Sequence, residues 1–241
     1  MSNTDLARCD VPSDWISDFS QCLYEWQGLE AAGIAFLVAA LTAAFLWHQI
    51  GQTERLEQRR LARQHRAKRS LMTHALSTAT QFAERSIKAL SEARRLLKAN
   101  KRLLGNWTPP VFPSEVVQSL SEFLETSDDE PVNALVGELI SQLQVHNARL
   151  VSMVSDEDTY RIGVALNIAD YQIQAAKVRQ LCGALFPYCR TETDTVPTSL
   201  ERGEVASHLE FNDAGDDDPD FEKRLELFKS VNKPWWPRQN G

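Results

Sequence analysis

The sequence predicts an all-α protein in which a single transmembrane helix continues into a long stalk helix, and the stalk packs in a cytoplasmic helical bundle of three to four helices. Three observations carry this reading. No formal charge occurs between Glu30 and Glu54. Neither Gly nor Pro occurs from Gln52 to Leu104. Beyond Pro113, apolar residues recur at spacings of three and four, and no strand-like alternation competes with them.

The first element is the membrane segment, residues 29–50. Its inner run, Ala31–Trp47, is almost wholly apolar. Extended to Ile50 it makes a helix of roughly 30 Å, the thickness of a bilayer core. Trp26 and Trp47 bracket it, roughly 31 Å apart along a helix axis, so both rings are expected at headgroup level. A buried core helix fits less well, because core helices seldom lack charge on every face over five turns. A cleaved signal peptide needs a basic n-region at its start, and here acidic sequence precedes the run. Ala31, Ala35, Ala39 and Ala43 recur every fourth residue. That small-residue stripe lets two helices approach closely, so it is the expected self-association face.

Charge is unevenly spread. The chain carries a formal −7 over 241 residues. Residues 1–30 hold one basic and six acidic side chains, and residues 54–105 hold 14 basic against four acidic. Residues 106–241 reverse the balance, with 11 basic against 23 acidic. Arg55, Arg59, Arg60, Arg63 and Arg66, followed by Lys68 and Arg69, crowd the C-terminal flank of the span. The positive-inside rule therefore predicts a single-pass protein with its N-terminus outside and its C-terminus cytoplasmic; in a prokaryote the membrane is the inner one. Residues 1–28 form a short acidic extracytoplasmic tail, and residues 51–70 a basic juxtamembrane neck close to lipid headgroups. Nucleic acid is not an expected partner, since no aromatic side chains interleave with these charges.

The stalk is rich in Leu, Ala, Arg, Glu, Gln and Lys, all compatible with helix. Leu76, Ala83, Leu90, Leu97 and Leu104 repeat every seven residues, with a second column beside them and Ala79 and Ala93 on a third. Three columns are wider than a two-column coiled-coil seam, so the helix is expected to pack in a bundle and to end at Gly105. The bundle, residues 71–188, adds a short helix from Ser114 to about Glu125. A helix from Pro131 to Ser155 comes next, burying Leu135, Leu139, Leu143, Leu150 and Val154. The last long helix runs to Phe186, with Ile162, Leu166, Ala169, Ile173 and Ala176 inward, and stops at Pro187. The short connection Asp156–Asp158 makes these two long helices antiparallel neighbours. Residues 189–241 read as an acidic, partly ordered tail with up to two short helices. Its Trp235 and Trp236, unfavourable if left in water, are expected to dock on the chain's own domain or on a partner, and in the second case they are the partner-binding residues.

Little in the sequence points to catalysis. None of the five histidines falls in a metal-binding spacing, and no nucleotide-loop or nucleophile-elbow motif occurs. Catalytic residues, cofactors and metal ligands are accordingly expected to be none. NDAGDDDPDFE misplaces the Gly and Glu of an EF-hand loop. Cys9 and Cys22 fall on the outer side, where they could pair, whereas Cys182 and Cys189 read as free thiols. His146 alone lies on an apolar stripe; a core histidine is the commoner reading of such a position, and the alternative is a pH-sensitive pair, since the hairpin register sets His146 opposite Asn167 and within reach of Asp170. The architecture of a helical bundle with one span serves many unrelated functions. The leading expectation is a membrane-tethered, non-enzymatic interaction or scaffold protein that homo-oligomerises and presents its bundle to a cytoplasmic protein partner. Alternatives are a sensor relaying a signal along the stalk and an oligomeric membrane effector or pore. The latter is weakened by a span whose one ionisable group is His48 at its inner end.

Overall fold

A computed structural model describes residues 15–155, 157–211, 214 and 218–237. The side chains of residues 15–31 and 157–166 lie outside that description, so Trp26, Ala31, Cys22, Ile162 and Leu166 are placed by backbone alone, and Cys9 is not placed. The protein is all-helical, with six helices and no strand among the described residues. They are α1 (Trp15–Lys98), α2 (Ser114–Leu124), α3 (Glu130–Ser155), α4 (Glu157–Cys189), α5 (Arg202–Phe211) and α6 (Pro219–Ser230). The chain divides into two compact units, Met1–Arg60 and Leu61–Gly241.

In the first unit α1 is unbroken through the apolar segment. Gly51 does not interrupt it, consistent with a cost of only about 1 kcal/mol for one glycine in a helix.

In the second unit all six helices contribute to one apolar core. From α1 come Met72, Leu76, Ala79, Phe82, Ala83, Leu90 and Ala93, the columns read from the heptad spacing. Opposite them lie Leu135, Leu139, Leu143 and Leu150 of α3, and Ile168, Ile173, Ala176 and Leu181 of α4. With one residue between them, α3 and α4 pack as an antiparallel hairpin. Short α2 adds Val116, Leu120 and Phe123 from one face.

Two helix ends differ from expectation. α1 stops at Lys98, six residues before Leu104. Asn100 takes a left-handed conformation (φ 59°), the Lys101 N–H donates to the Leu96 carbonyl and the Asn100 N–H to the Leu97 carbonyl. This is a Schellman cap with Asn in the place usually held by Gly, since Asn tolerates that conformation. Leu103 still reaches the core, while Leu104 faces solvent. Conversely, α4 runs past Pro187 to Cys189. A proline in the last turn forfeits one donor but keeps its carbonyl, and the acceptors at this end are used: Arg190 N–H donates to Phe186 O and Glu192 N–H to Pro187 O, each at 2.9 Å. Thr191 provides the left-handed residue there (φ 59°).

Residues 189–241, read from sequence as a partly ordered tail, add Val196, Leu200, Val205, Leu209, Phe221, Leu225, Trp235 and Trp236 to the same core. α5 and α6 pack on α4 and on each other. The terminal segment is tied down by an isolated antiparallel bridge: Trp235 N–H donates to Leu200 O, and Leu200 N–H to Trp236 O. Asp218 caps α6, its side chain accepting from the Asp220 N–H, with Pro219 next at the first turn.

Candidate functional site

The candidate site is the uncharged stretch of α1 together with the arginines just beyond it. Ala, Leu, Phe and Ile hold a helix here without supplying a polar face. Every described side chain from Ala32 to Ile50 is exposed, including Phe36 (74%), Leu41 and Trp47 (80%). Several polar atoms in this stretch bond within the helix. Thr42 Oγ1 donates to the Val38 carbonyl at 2.7 Å, so its hydroxyl needs no outside partner. At the C-terminal end, Gln52 Nε2 lies 3.0 Å from His48 Nε2, and Thr53 Oγ1 donates to the Gln49 carbonyl. Such back-bonding suits a helix whose surroundings offer no hydrogen bonds. By length and composition this helix is apolar enough to cross a membrane. Ala35, Ala39 and Ala43 are exposed along it.

Arg55, Arg59 and Arg60 are exposed in the first unit, and Arg63 and Arg66 in the second. Arg63 precedes Met72 by nine residues, two and a half helical turns, so it faces away from the side of α1 that enters the core. Lys68 and Arg69 behave differently, and the sequence reading of both as headgroup-facing residues is corrected. Lys68 Nζ donates to the Glu122 carbonyl at 2.7 Å. The Arg69 guanidinium lies over the Tyr188 ring at 3.9 Å, donates to the Tyr188 and Thr193 carbonyls, and sits 3.3 Å from Asp194. It clamps the end of α4 and the turn after it onto α1. His65 joins this cluster, its Nε2 3.3 Å from the Tyr188 hydroxyl and its ring against Phe123.

Packing decides two further expectations against the partner-binding and the pH-sensitive-pair readings. Trp235 (6% exposed) and Trp236 (8%) are buried in the fold's own core, so they are not a partner-binding surface. Trp235 Nε1 donates to Gln180 Oε1 at 2.6 Å, which satisfies the one polar atom of the buried indole. His146 and Asp170 do not pair. His146 is fully buried, with its ring edge-on to Phe82 at 5.8 Å, and neither ring nitrogen has a hydrogen-bond partner among the described residues. Burial, reinforced by the Arg149 charge, pushes its pKa down to about 3. Asp170 comes one position after the inward Ala169 and so turns off the core face of α4; its carboxylate lies 4.0 Å from Arg224. Cys182 and Cys189 are buried free thiols, pushed up to about 12 and about 11 by burial, which makes them unreactive as thiolates near neutral pH.

Sequence reasoning missed a buried polar network. Arg94, Gln172 and Asp218 come from α1, α4 and the cap of α6. Arg94 Nε lies 3.0 Å from Asp218, its second nitrogen donates to the Ala214 carbonyl, and its third to Gln172 Oε1. Gln172 Nε2 donates to Ala214 O and to Ser91 Oγ. Burial lowers the Arg94 pKa and the Asp218 carboxylate opposes that. One signal was available. Arg94 interrupts the apolar stripe between Leu90 and Leu97, and a charge on a core face calls for a buried counter-charge. Nothing in the sequence named Asp218 as that partner.

Comparison with protein-family models, with curated proteins and with solved structures returns no match.

Proposed function

We propose that this chain is a membrane-anchored, non-enzymatic interaction protein. α1 crosses the bilayer once through residues 29–50, the N-terminal side lies outside, and the folded unit 61–241 stands in the cytoplasm and is offered to a protein partner. Anchoring holds that partner at raised local concentration.

The observation that supports this is the exposure of the apolar segment on every face. Nine large apolar side chains between Ile34 and Ile50 lie open. Full burial of each would contribute about 1.5–3 kcal/mol, and since they are only partly covered, leaving all nine in water costs on the order of 10–20 kcal/mol. That is as large as the whole stability of an ordinary domain. Association with one neighbouring helix would cover one face; lipid covers all of them. The exposed arginines after the span favour the cytoplasmic side for the rest of the chain. The alanine face is proposed as the contact of a homo-oligomer within the membrane.

Membrane fractionation tests the anchor. Full-length protein is expected to stay in the pellet after an alkaline carbonate wash and ultracentrifugation, and to float with vesicles. A Leu37→Lys, Leu41→Lys variant is expected in the supernatant. Wild-type protein released by carbonate would overturn the proposal. Protease treatment of inside-out and right-side-out vesicles tests orientation, with residues 61–241 accessible only in the former.

A further inference from the structure

A second site lies wholly within the folded unit. Helices α3, α4 and α6 enclose an open cleft of about 550 Å³, within the range of small-molecule sites. Its charge is unlike its surroundings. Residues 106–241 carry acids over bases by about two to one, yet this cleft is lined by Arg149, Lys177 and Arg224 against a single acid, Asp170.

The cations are held in place. Arg149 donates to Gln174 Oε1 at 2.6 Å and lies 5.5 Å from the Tyr171 ring centre. Gln174 in turn donates to Gln142, and Gln142 to Glu138. The floor of the cleft is thus a row of buried amides fixed by one another. Lys177 Nζ sits over both the Phe228 and Trp235 rings at 5.1 Å, positioned by aromatic faces. Arg224 meets Asp170 at 4.0 Å, the limit of an ion pair, with both side chains near half exposed. Such a pair contributes little in water and yields easily to a stronger acceptor. Three like charges drawn into one concavity raise its potential, and an anion entering it relieves their repulsion. Beside the cations run Val145, Ile173, Leu227 and Phe228. Val145 and Leu227 are open to solvent, which gives the cleft an apolar wall.

We propose that the cleft between α3, α4 and α6 binds a small organic anion, a phosphate or carboxylate carried on an apolar body. The anionic group meets Arg149 and Arg224, with Lys177 behind them, and the body lies on Leu227 and Val145. The guanidinium forks suit two-point hydrogen bonding to such a group. This proposal does not depend on the membrane anchor, since every residue it uses lies beyond residue 60.

Calorimetric titration of the full chain in neutral-detergent micelles tests it, with phenyl phosphate as probe. Saturable binding is expected, with inorganic phosphate and phenol each at least tenfold weaker. Arg149→Gln with Arg224→Gln is expected to weaken phenyl phosphate at least tenfold, and Arg95→Gln, outside the cleft, to leave it unchanged. Ser141→Glu, which adds a carboxylate at the exposed rim and keeps every cation, is expected to weaken it similarly with unchanged helical circular dichroism. Displacement by a short-chain phosphatidic acid, dihexanoyl glycerol 3-phosphate, at lower concentration than by aromatic phosphates would identify the natural source as a lipid; displacement by aromatic phosphates alone would identify a soluble metabolite. No saturable heat from phenyl phosphate, or equal affinity in wild type and Ser141→Glu, would overturn the proposal.

Discussion

Three residues in the folded unit are in positions that chemistry disfavours. Thr191 is a β-branched residue in the left-handed region, where an L side chain costs about 1–2 kcal/mol. Its role is to turn the chain after α4, and a glycine does that without the clash. Thr191→Gly is therefore expected to stabilise the fold by about 1 kcal/mol in urea titration, despite the greater freedom it gives the unfolded chain. His146 is a second such residue, a buried imidazole with no partner among the described residues. Its pKa is pushed down to about 3, against an ordinary value of 6.5. Below pH 6.5 the unfolded chain takes up a proton that the folded chain refuses. Stability from this site is therefore complete above pH 6.5 and falls progressively as the pH drops toward 3. Half-buried His208, pulled down to about 4 by burial, acts in the same direction. His146→Leu, close in volume and needing no hydrogen bond, is expected to be as stable as wild type at pH 8 and more stable at pH 5. A wild-type and variant difference that does not change between those two pH values would refute this. Arg94 is the third. Arg94→Leu leaves Asp218 with Lys98 alone, 3.6 Å away, and takes a donor from the Ala214 carbonyl and from Gln172 Oε1, so it is expected to cost about 1–3 kcal/mol by urea unfolding. It would also loosen the start of α6, because Asp218 is both the partner of Arg94 and the helix cap.

At the scale of elements, α1 carries two different surfaces on one helical backbone. Up to residue 50 its described side chains are apolar on all faces and exposed. From Met72 on, one face enters the core and the other stays polar. These are the signatures of a helix solvated by lipid and of an amphipathic helix of a globular fold. Between them, the arginines divide by direction. Arg63 and Arg66 point outward, and Arg69 points inward onto Tyr188. Spacing alone could not assign Arg69, because its partners lie 119 to 125 residues further on. If the alanine face joins two spans, Ala39→Leu is expected to reduce association at least several-fold in a bacterial membrane-association reporter, while Ala40→Leu, on another face, leaves it unchanged. Equal signals from the two variants would remove this face from the proposal.

For the whole molecule, the consequential element is the last fifty residues. They are not an appendage: α5, α6 and the two tryptophans complete the core that α1, α3 and α4 begin. The Leu200–Trp236 bridge and the Trp235–Gln180 hydrogen bond close the fold. Trp235→Ala is expected to cost about 3–5 kcal/mol, the usual result of truncating a large buried aromatic. Limited proteolysis would show it as faster cleavage around residues 190–201, where the segment that packs on Trp236 begins. An unchanged cleavage pattern would mean that the tryptophans do not hold the tail.

The helical class and most of the periodic structure were legible in the residue pattern. Heptad columns in α1 and the three-and-four spacing in α3 and α4 placed Leu76, Phe82, Leu139 and Leu143 on inward faces, and those faces are buried. Such patterns are legible because hydrophobic burial acts on side chains a turn apart, within one helix. The uncharged run of α1 was equally plain. Packing in three dimensions was needed to choose the chain's own core over a partner as the place where Trp235 and Trp236 dock, to set Asp170 against Arg224 and leave His146 alone, and to bring Arg149, Lys177 and Arg224 to one cleft. Each depends on residues far apart in the chain meeting across helices. The strength of a charge or an aromatic contact is set by the groups and the dielectric around it in space, and local spacing carries no record of either.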